Sequence, residues 1–298
     1  MILVVGATGL LGTRVCERLR AEKQPVRALV RRTSDPDKVK GLRSLGCELA
    51  IGDLKEPPQI EAACKGITAV ISTASSTLSR QQGDSIESVD LQGQLALVNA
   101  ARTAGIRRFV YASFRDDPTL QYPLTKAKRS VELAIADLDF TSIQASWFME
   151  VWLSPALGFD YVHGKVRLYG SGSKPISWVS YRDVAEFCIA PVLRSVGSRS
   201  MLAVGGPEAL TALEVVRIFE EEWRNTKTRN FQNGVSGSSL SGADLYNWSI
   251  ARTFSAKSTS TPESTIQMLQ GYPAACASNR NIVAIPNQLT TGFPPNGD

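Results

Sequence analysis

The stretch 1-MILVVGATGLLGTRVCERL-19 decides the fold. The apolar run Ile2 to Val5 ends at Gly6, glycines recur at Gly9 and Gly12, and Leu11, Val15 and Leu19 then repeat at helical spacing. A buried strand, a sharp turn and an amphipathic helix are therefore predicted in that order. Glycine is required where a chain turns sharply and where backbone must approach a pyrophosphate with no Cβ in the way. The helix N-terminus adds free N–H groups and the positive end of its dipole. A glycine turn serving packing alone is the competing reading. The strand-turn-helix context favours a dinucleotide cradle made of Gly6, Thr8, Gly9, Leu10, Leu11 and Gly12.

Working outward, strand and helix patterns alternate. Strands are predicted at Val26 to Val30, Cys47 to Ile51, Ala69 to Thr73, Arg108 to Ser113 and Phe140 to Ala145, with helical patterns starting near Leu10, Asp37, Pro57, Ser85 and Leu124. Such alternation predicts parallel strands joined by right-handed crossovers, hence an α/β doubly wound parallel sheet of the Rossmann type, with ligands at the carboxyl ends of the strands. Three regions follow: a nucleotide-binding domain over 1–146, a smaller substrate-side region over 147–224, and an atypical polar tail over 225–298. The tail is rich in Ser, Thr, Asn, Gln and Gly, with one amphipathic pattern at Gly242 to Ser255; it is expected to be loosely attached or partly disordered.

Cofactor choice is read about twenty residues past the glycine turn, where an acid normally holds the ribose hydroxyls of NAD. Arg31 and Arg32 stand there instead. An arginine pairs with a 2′-phosphate that an acid would repel, so NADP(H) is preferred over NAD(H); a solvated arginine loop is the bland alternative. Asp53 and Leu54, after the third strand, are placed at the adenine, and Thr73, Ala74 and Ser75 let the cofactor pass over the fourth strand end.

These residues resemble the NmrA-like atypical short-chain dehydrogenase/reductases. The resemblance rests on GATGLLG at 6–12, the arginine after strand two, GDL at 52–54, RRFVYAS at 107–113, the helix containing Lys126, and WVSYRDVAEF at 178–187. It covers roughly residues 1 to 222 and implies an NADP(H)-dependent oxidoreductase, with quinone and isoflavone-type reductases among its members. Members that only sense NADP(H), and assembly factors, make a nonenzymatic regulator with a protein partner the alternative.

The resemblance implies two alignments of the catalytic helix, the first to catalytic short-chain dehydrogenases and the second to the isoflavone-reductase-like branch, and both stay open. In the first, Tyr122 exchanges the proton, Lys126 one turn later lowers its pKa and bonds the nicotinamide ribose, and Ser113 polarises the substrate oxygen. In the second, the K-x-K pattern at Lys126 and Lys128 makes Lys126 the main catalytic group without the tyrosine. Lys128, roughly 200° around the helix, is read as solvated. Ser113 has a local-cap alternative. Asp183 is read as a helix N-terminal carboxylate and His163 as a loop histidine.

The aromatic segment beginning with Trp147, Phe148 and Trp152 follows the last strand of the nucleotide domain and suggests a small apolar substrate, with core packing as the alternative. The net charge of +5 is dispersed, which argues against nucleic-acid binding. Five scattered cysteines read as reduced core residues, a single histidine argues against a metal site, and the apolar runs are too short for a membrane span. A cytoplasmic location is expected, since Met1 to Val5 lacks the pattern of a signal peptide. The oligomeric state is not readable.

Overall fold

The strand β1 (Ile2–Val5) is buried along its whole length because it lies in the middle of a sheet with helices on both faces. The computed structural model describes residues 1–79, 81–115, 122–161, 163–168, 170–194, 197–232 and 283–286. From β1 the chain runs through α1 (Leu10–Ala21), β2 (Val26–Val30), α2 (Pro36–Ser44), β3 (Glu48–Ile51), α3 (Pro57–Cys64) and β4 (Ala69–Ser72). A π-helical segment, Ile86–Gly93, leads into α4 (Gln94–Thr103), followed by β5 (Arg108–Phe114), α5 (Pro123–Ala134) and β6 (Asp139–Ala145).

After β6 come β7 (Trp147–Phe148), α6 (Met149–Trp152), β8 (Phe159–Asp160), β9 (Lys165–Val166) and β10 (Pro175–Val179). The chain continues through α7 (Tyr181–Leu193), β11 (Ser200–Gly205), β12 (Ala209–Thr211), α8 (Ala212–Gln232) and β13 (Val283–Pro286). The main sheet has the order β13-β11-β6-β5-β4-β1-β2-β3. Strands β3 to β11 in that order are parallel, and β13 pairs antiparallel with β11. Strand order reverses between β1 and β4, so the crevice of a doubly wound sheet opens there.

Period-two alternation sorts the core. Ile2 and Val4 pack with Leu11, Val15 and Leu19 of α1 and with Val184 and Phe187 of α7. Leu3 and Val5 face the other way, into Ile60, Leu97 and Val131 of α3, α4 and α5 and Ile135 at the end of α5. A third apolar cluster, Met149, Leu153, Phe159, Trp178, Leu210, Val215 and Ile218, belongs to the substrate-side segments. There β10 joins β7 in parallel and β12 antiparallel, and β8 pairs with β9.

Helix α8 continues past Trp223, where the apolar pattern ends, to Gln232. It opens on a reciprocal cap in which the Glu214 N–H donates to Thr211 Oγ1 and Thr211 N–H to Glu214 Oε2, at 3.1 and 2.8 Å. Within the polar tail, Val283–Pro286 forms a strand of the main sheet. The helix read at Gly242 to Ser255 and the cysteine Cys276 lie outside the described residues. Cys16, Cys47, Cys64 and Cys188 are free and buried, as expected. No helix among the described residues is long and apolar enough to cross a membrane, and these residues hold no group of metal-ligating side chains.

Candidate functional site

The glycine turn closes tightly. Gly6 has φ +81°, and a Cβ there would lie 2.7 Å from Ala74 N and 2.8 Å from Thr73 Oγ1. A Cβ on Gly12 would fall 2.1 Å from Gly6 O, so α1 and the end of β1 meet backbone to backbone. Gly6 O accepts the Gly9 N–H at 2.9 Å, and Thr13 Oγ1 donates to Ala7 O at 2.9 Å. Gly9 is the N-cap of α1 and supplies no side chain to its first N–H groups. By contrast, α2 and α7 are capped by Asp35 and Ser180. The first turn of α1, with the exposed Gly9 and Leu10 and the half-buried Thr8, therefore presents backbone donors to an anion; Leu11 and Gly12 are buried beneath it.

Beside the cradle, Thr73 Oγ1 donates to Val5 O at 3.0 Å, and Gln94 holds Ala74 O at 3.1 Å. Ser75 Oγ lies 3.2 Å from Thr77 Oγ1. The small residues after β4 thus lie beside the glycine turn. At the far side, Arg31 and Arg32 directly follow β2. Arg32 is exposed, whereas Arg31 Nη1 donates to Asp84 Oδ2 at 2.6 Å. Lys55 also pairs with Asp84, and its Nζ lies 3.3 Å from Asp53 Oδ2. Asp53 Oδ1 accepts from the Lys55 N–H at 2.9 Å, and Leu54 is buried. Asp84 and Lys55 were invisible to the sequence reading because no local pattern links them to Arg31.

On the other side of the crevice, Ser113 is in β5 and Tyr122 is the N-cap of α5, with Pro123 as the first helical residue. Ser113 Oγ is buried and makes no hydrogen bond to any described residue, which speaks against the local-cap reading. Tyr122 and Lys126 are both exposed, and the Lys126 N–H donates to Tyr122 O at 3.0 Å.

The solvated reading of Lys128 is corrected. It is buried, with its Nζ 3.4 Å from Asp90 Oδ1, 3.4 Å from Ala112 O and 5.0 Å from the centroid of the Tyr111 ring. The physical reason is its position on the stripe Leu124, Lys128, Val131 and Ile135, which faces the sheet. Burial pushes the Lys128 ammonium down against the opposing pull of Asp90 and Glu132. Burial first, then the charges of Asp90 and Glu132, push the Tyr111 phenol far up. Tyr111 Oη and Ser113 Oγ are both left without described partners, so two hydroxyls and an ion pair crowd the β5–α5 seam.

After β6, the rings of Trp147 and Trp152 lie in tilted contact, with centroids 4.1 Å apart and planes at 43°, and Trp178 meets Trp147 edge-on at 6.3 Å. Trp178 is core and donates to Leu210 O at 3.0 Å. Trp147 and Trp152 remain 41% and 40% exposed, so they form an apolar platform, while Phe148 packs against the core. Asp183 stands in the first turn of α7, and the exposed His163 bonds Asp160.

Known proteins agree with this architecture. The NADPH-dependent quinone oxidoreductase QOR2 of Escherichia coli, solved with NADPH, superposes with a TM-score of 0.61 at 21% identity, covering 94% of this chain and 89% of that one. An NAD(P)H azoreductase of Xenophilus azovorans is 29% identical, over 72% of this chain and 71% of its own. The photosystem II assembly factor Ycf39 of Trieres chinensis is 27% identical, over 74% of this chain and 68% of its own. A model of the NmrA-like family matches residues 1–240, spanning the cradle, α5 and the aromatic platform, and the chain belongs to that family.

Proposed function

We propose that this chain is an NADP(H)-dependent oxidoreductase moving a hydride to or from a small apolar substrate of the aromatic or quinone-like kind. The observation that carries the reading is the uncapped first turn of α1, set over a glycine turn in which a Cβ at Gly6 or Gly12 would strike backbone. These residues fit a pyrophosphate: the turn and first helical turn formed by Gly6, Thr8, Gly9, Leu10, Leu11 and Gly12 would hold it, with Thr73, Ala74 and Ser75 alongside. Arg31 and Arg32 take the ribose 2′-phosphate, and Asp53 and Leu54 take the adenine side. When bound, the nicotinamide supplies or accepts the hydride.

The chain's own groups handle the proton and the substrate. Ser113 offers a buried hydroxyl with no described partner, suited to donate to a substrate oxygen. Tyr122 and Lys126, at the open end of α5, act as proton donor and as ribose and substrate contact. Trp147 and Trp152 supply the apolar surface, with Phe148 bracing it. One relative is named as an NAD(P)H azoreductase, which supports a nicotinamide-dependent reductase reading.

The assembly-factor relative favours a second reading, a nonenzymatic NADP(H)-responsive partner protein. Titration of NADPH and NADH, followed by NADPH oxidation with quinones, azo dyes and aromatic carbonyls, separates the two. Turnover that falls in Lys126→Ala and Ser113→Ala supports the enzyme. NADPH binding without turnover supports the partner protein, and absence of binding removes both.

A further inference from the structure

Asp84 comes from the loop after β4, yet its carboxylate ends between two cations from the other side of the crevice. Arg31 Nη1 lies 2.6 Å from Asp84 Oδ2, and Lys55 Nζ pairs with Oδ1. Arg31 follows β2 and Lys55 follows β3, whereas β4 stands on the opposite side of β1. The loop therefore crosses the end of β1. A second tether marks the same crossing: Thr33 Oγ1 and Gln81 Oε1 are 2.5 Å apart, and Gln81 Nε2 donates to Thr33 O at 3.1 Å. The Asp84 side chain is only 3% exposed, so the anion is enclosed rather than resting on the surface.

We propose that Asp84 sets cofactor specificity: its carboxylate occupies the seat between Arg31 and Lys55 that a ribose 2′-phosphate takes, and phosphorylated nucleotides bind by displacing it. The proposal rests on the NADP(H) reading above and adds to it the residue that opposes the phosphate. Two anions cannot share one partly buried cation pair without repulsion. A 2′-phosphate carries nearly two charges and three acceptor oxygens, so it outcompetes a carboxylate for Arg31 and Lys55. A ribose hydroxyl has no charge with which to displace Asp84. The loop carrying Asp84 is thereby released by one class of nucleotide and retained by the other.

The test is calorimetric titration of the full chain with adenosine 2′-monophosphate and adenosine 5′-monophosphate, in wild type and Asp84→Asn. The substitution should tighten the 2′-phosphate about tenfold and shift the 5′-phosphate less than about twofold. Equal shifts for both probes, or a weaker 2′-phosphate, overturn the proposal. Hydrogen exchange on the wild type gives an independent reading: the 2′-phosphate should speed exchange over residues 81–85, and the 5′-phosphate should not. An identical response to both probes overturns it as well. Wild type that binds neither probe nor NADPH removes the nucleotide reading itself; binding without discrimination at Asp84 removes only this inference.

Discussion

Lys128 Nζ lies 3.4 Å from Asp90 Oδ1, and both side chains are closed off from solvent. Asp90 is further fixed by its other oxygen, which accepts from Ser76 N at 2.9 Å and Ser76 Oγ at 2.6 Å. The pair thus joins α5 to the π-helical segment and to the loop that follows β4. Removing one partner of a buried pair leaves an uncompensated charge, so Lys128→Met should cost about 3–5 kcal/mol in urea denaturation. Lys128→Met combined with Asp90→Asn should cost less than Lys128→Met alone. A double variant whose cost equals the sum of the singles would show that the two groups are not coupled.

Acid should weaken the Asp84 clasp. Hydrogen bonds from Lys55, Ser79 and Arg31 outweigh the opposing effect of burial and hold its carboxyl at about 2, against an ordinary 3.8. A depressed folded pKa contributes stability that is present above the unfolded value and lost as pH falls through the folded one. That contribution is fully present near neutral pH. Wild type should therefore exceed Asp84→Asn in stability near neutrality, with the gap shrinking between about pH 4 and pH 2. The same substitution that strengthens 2′-phosphate binding should lower the melting temperature.

Two glycines should answer alanine with opposite signs. A Cβ on Gly12 would lie 2.1 Å from Gly6 O, which is backbone and cannot swing away, so Gly12→Ala should cost about 1–3 kcal/mol and weaken NADPH binding. Gly41, inside α2, has nothing within 4 Å of the point where a methyl group would sit. Gly41→Ala should add about 0.5–1 kcal/mol through helix propensity. Thermal melts of the two variants test this, and a loss at Gly41 would contradict it.

The tryptophan platform predicts a KM effect. Trp147→Ala or Trp152→Ala should raise KM for an aromatic acceptor about tenfold while changing kcat little, since the lost contact is made alike in ground and transition states. KM for NADPH should be unchanged. A matching rise in the cofactor KM would relocate the pair's role.

The strands of the nucleotide fold were legible because each is a short apolar run bounded by turn residues, and the observed limits of β1 and β2 coincide with those read from the chain. The glycine turn was legible because backbone contact demands one residue type. Lys128 carried a readable signal, its place on the apolar stripe of α5, but its charge argued the other way. The pairing with Asp90 offsets only part of that preference for water. Asp84 carried none: it lies 53 residues from Arg31, and only the crossing loop brings them together. The π-helical segment before α4 also lacks a legible sequence period of its own, since eight residues of wider winding shift the repeat without replacing it.

The sheet's two margins have a bearing on association. An outermost strand offers an unpaired row of N–H and C=O groups to any other chain. At one margin β3 is four residues long and carries Glu48, which engages Arg27; at the other, β13 is also four residues long and ends at Pro286, which has no N–H to offer. Strand β13 also covers the six-residue β11. A chain cut before Val283 would leave β11 outermost, and strand-to-strand aggregation would be its characteristic failure.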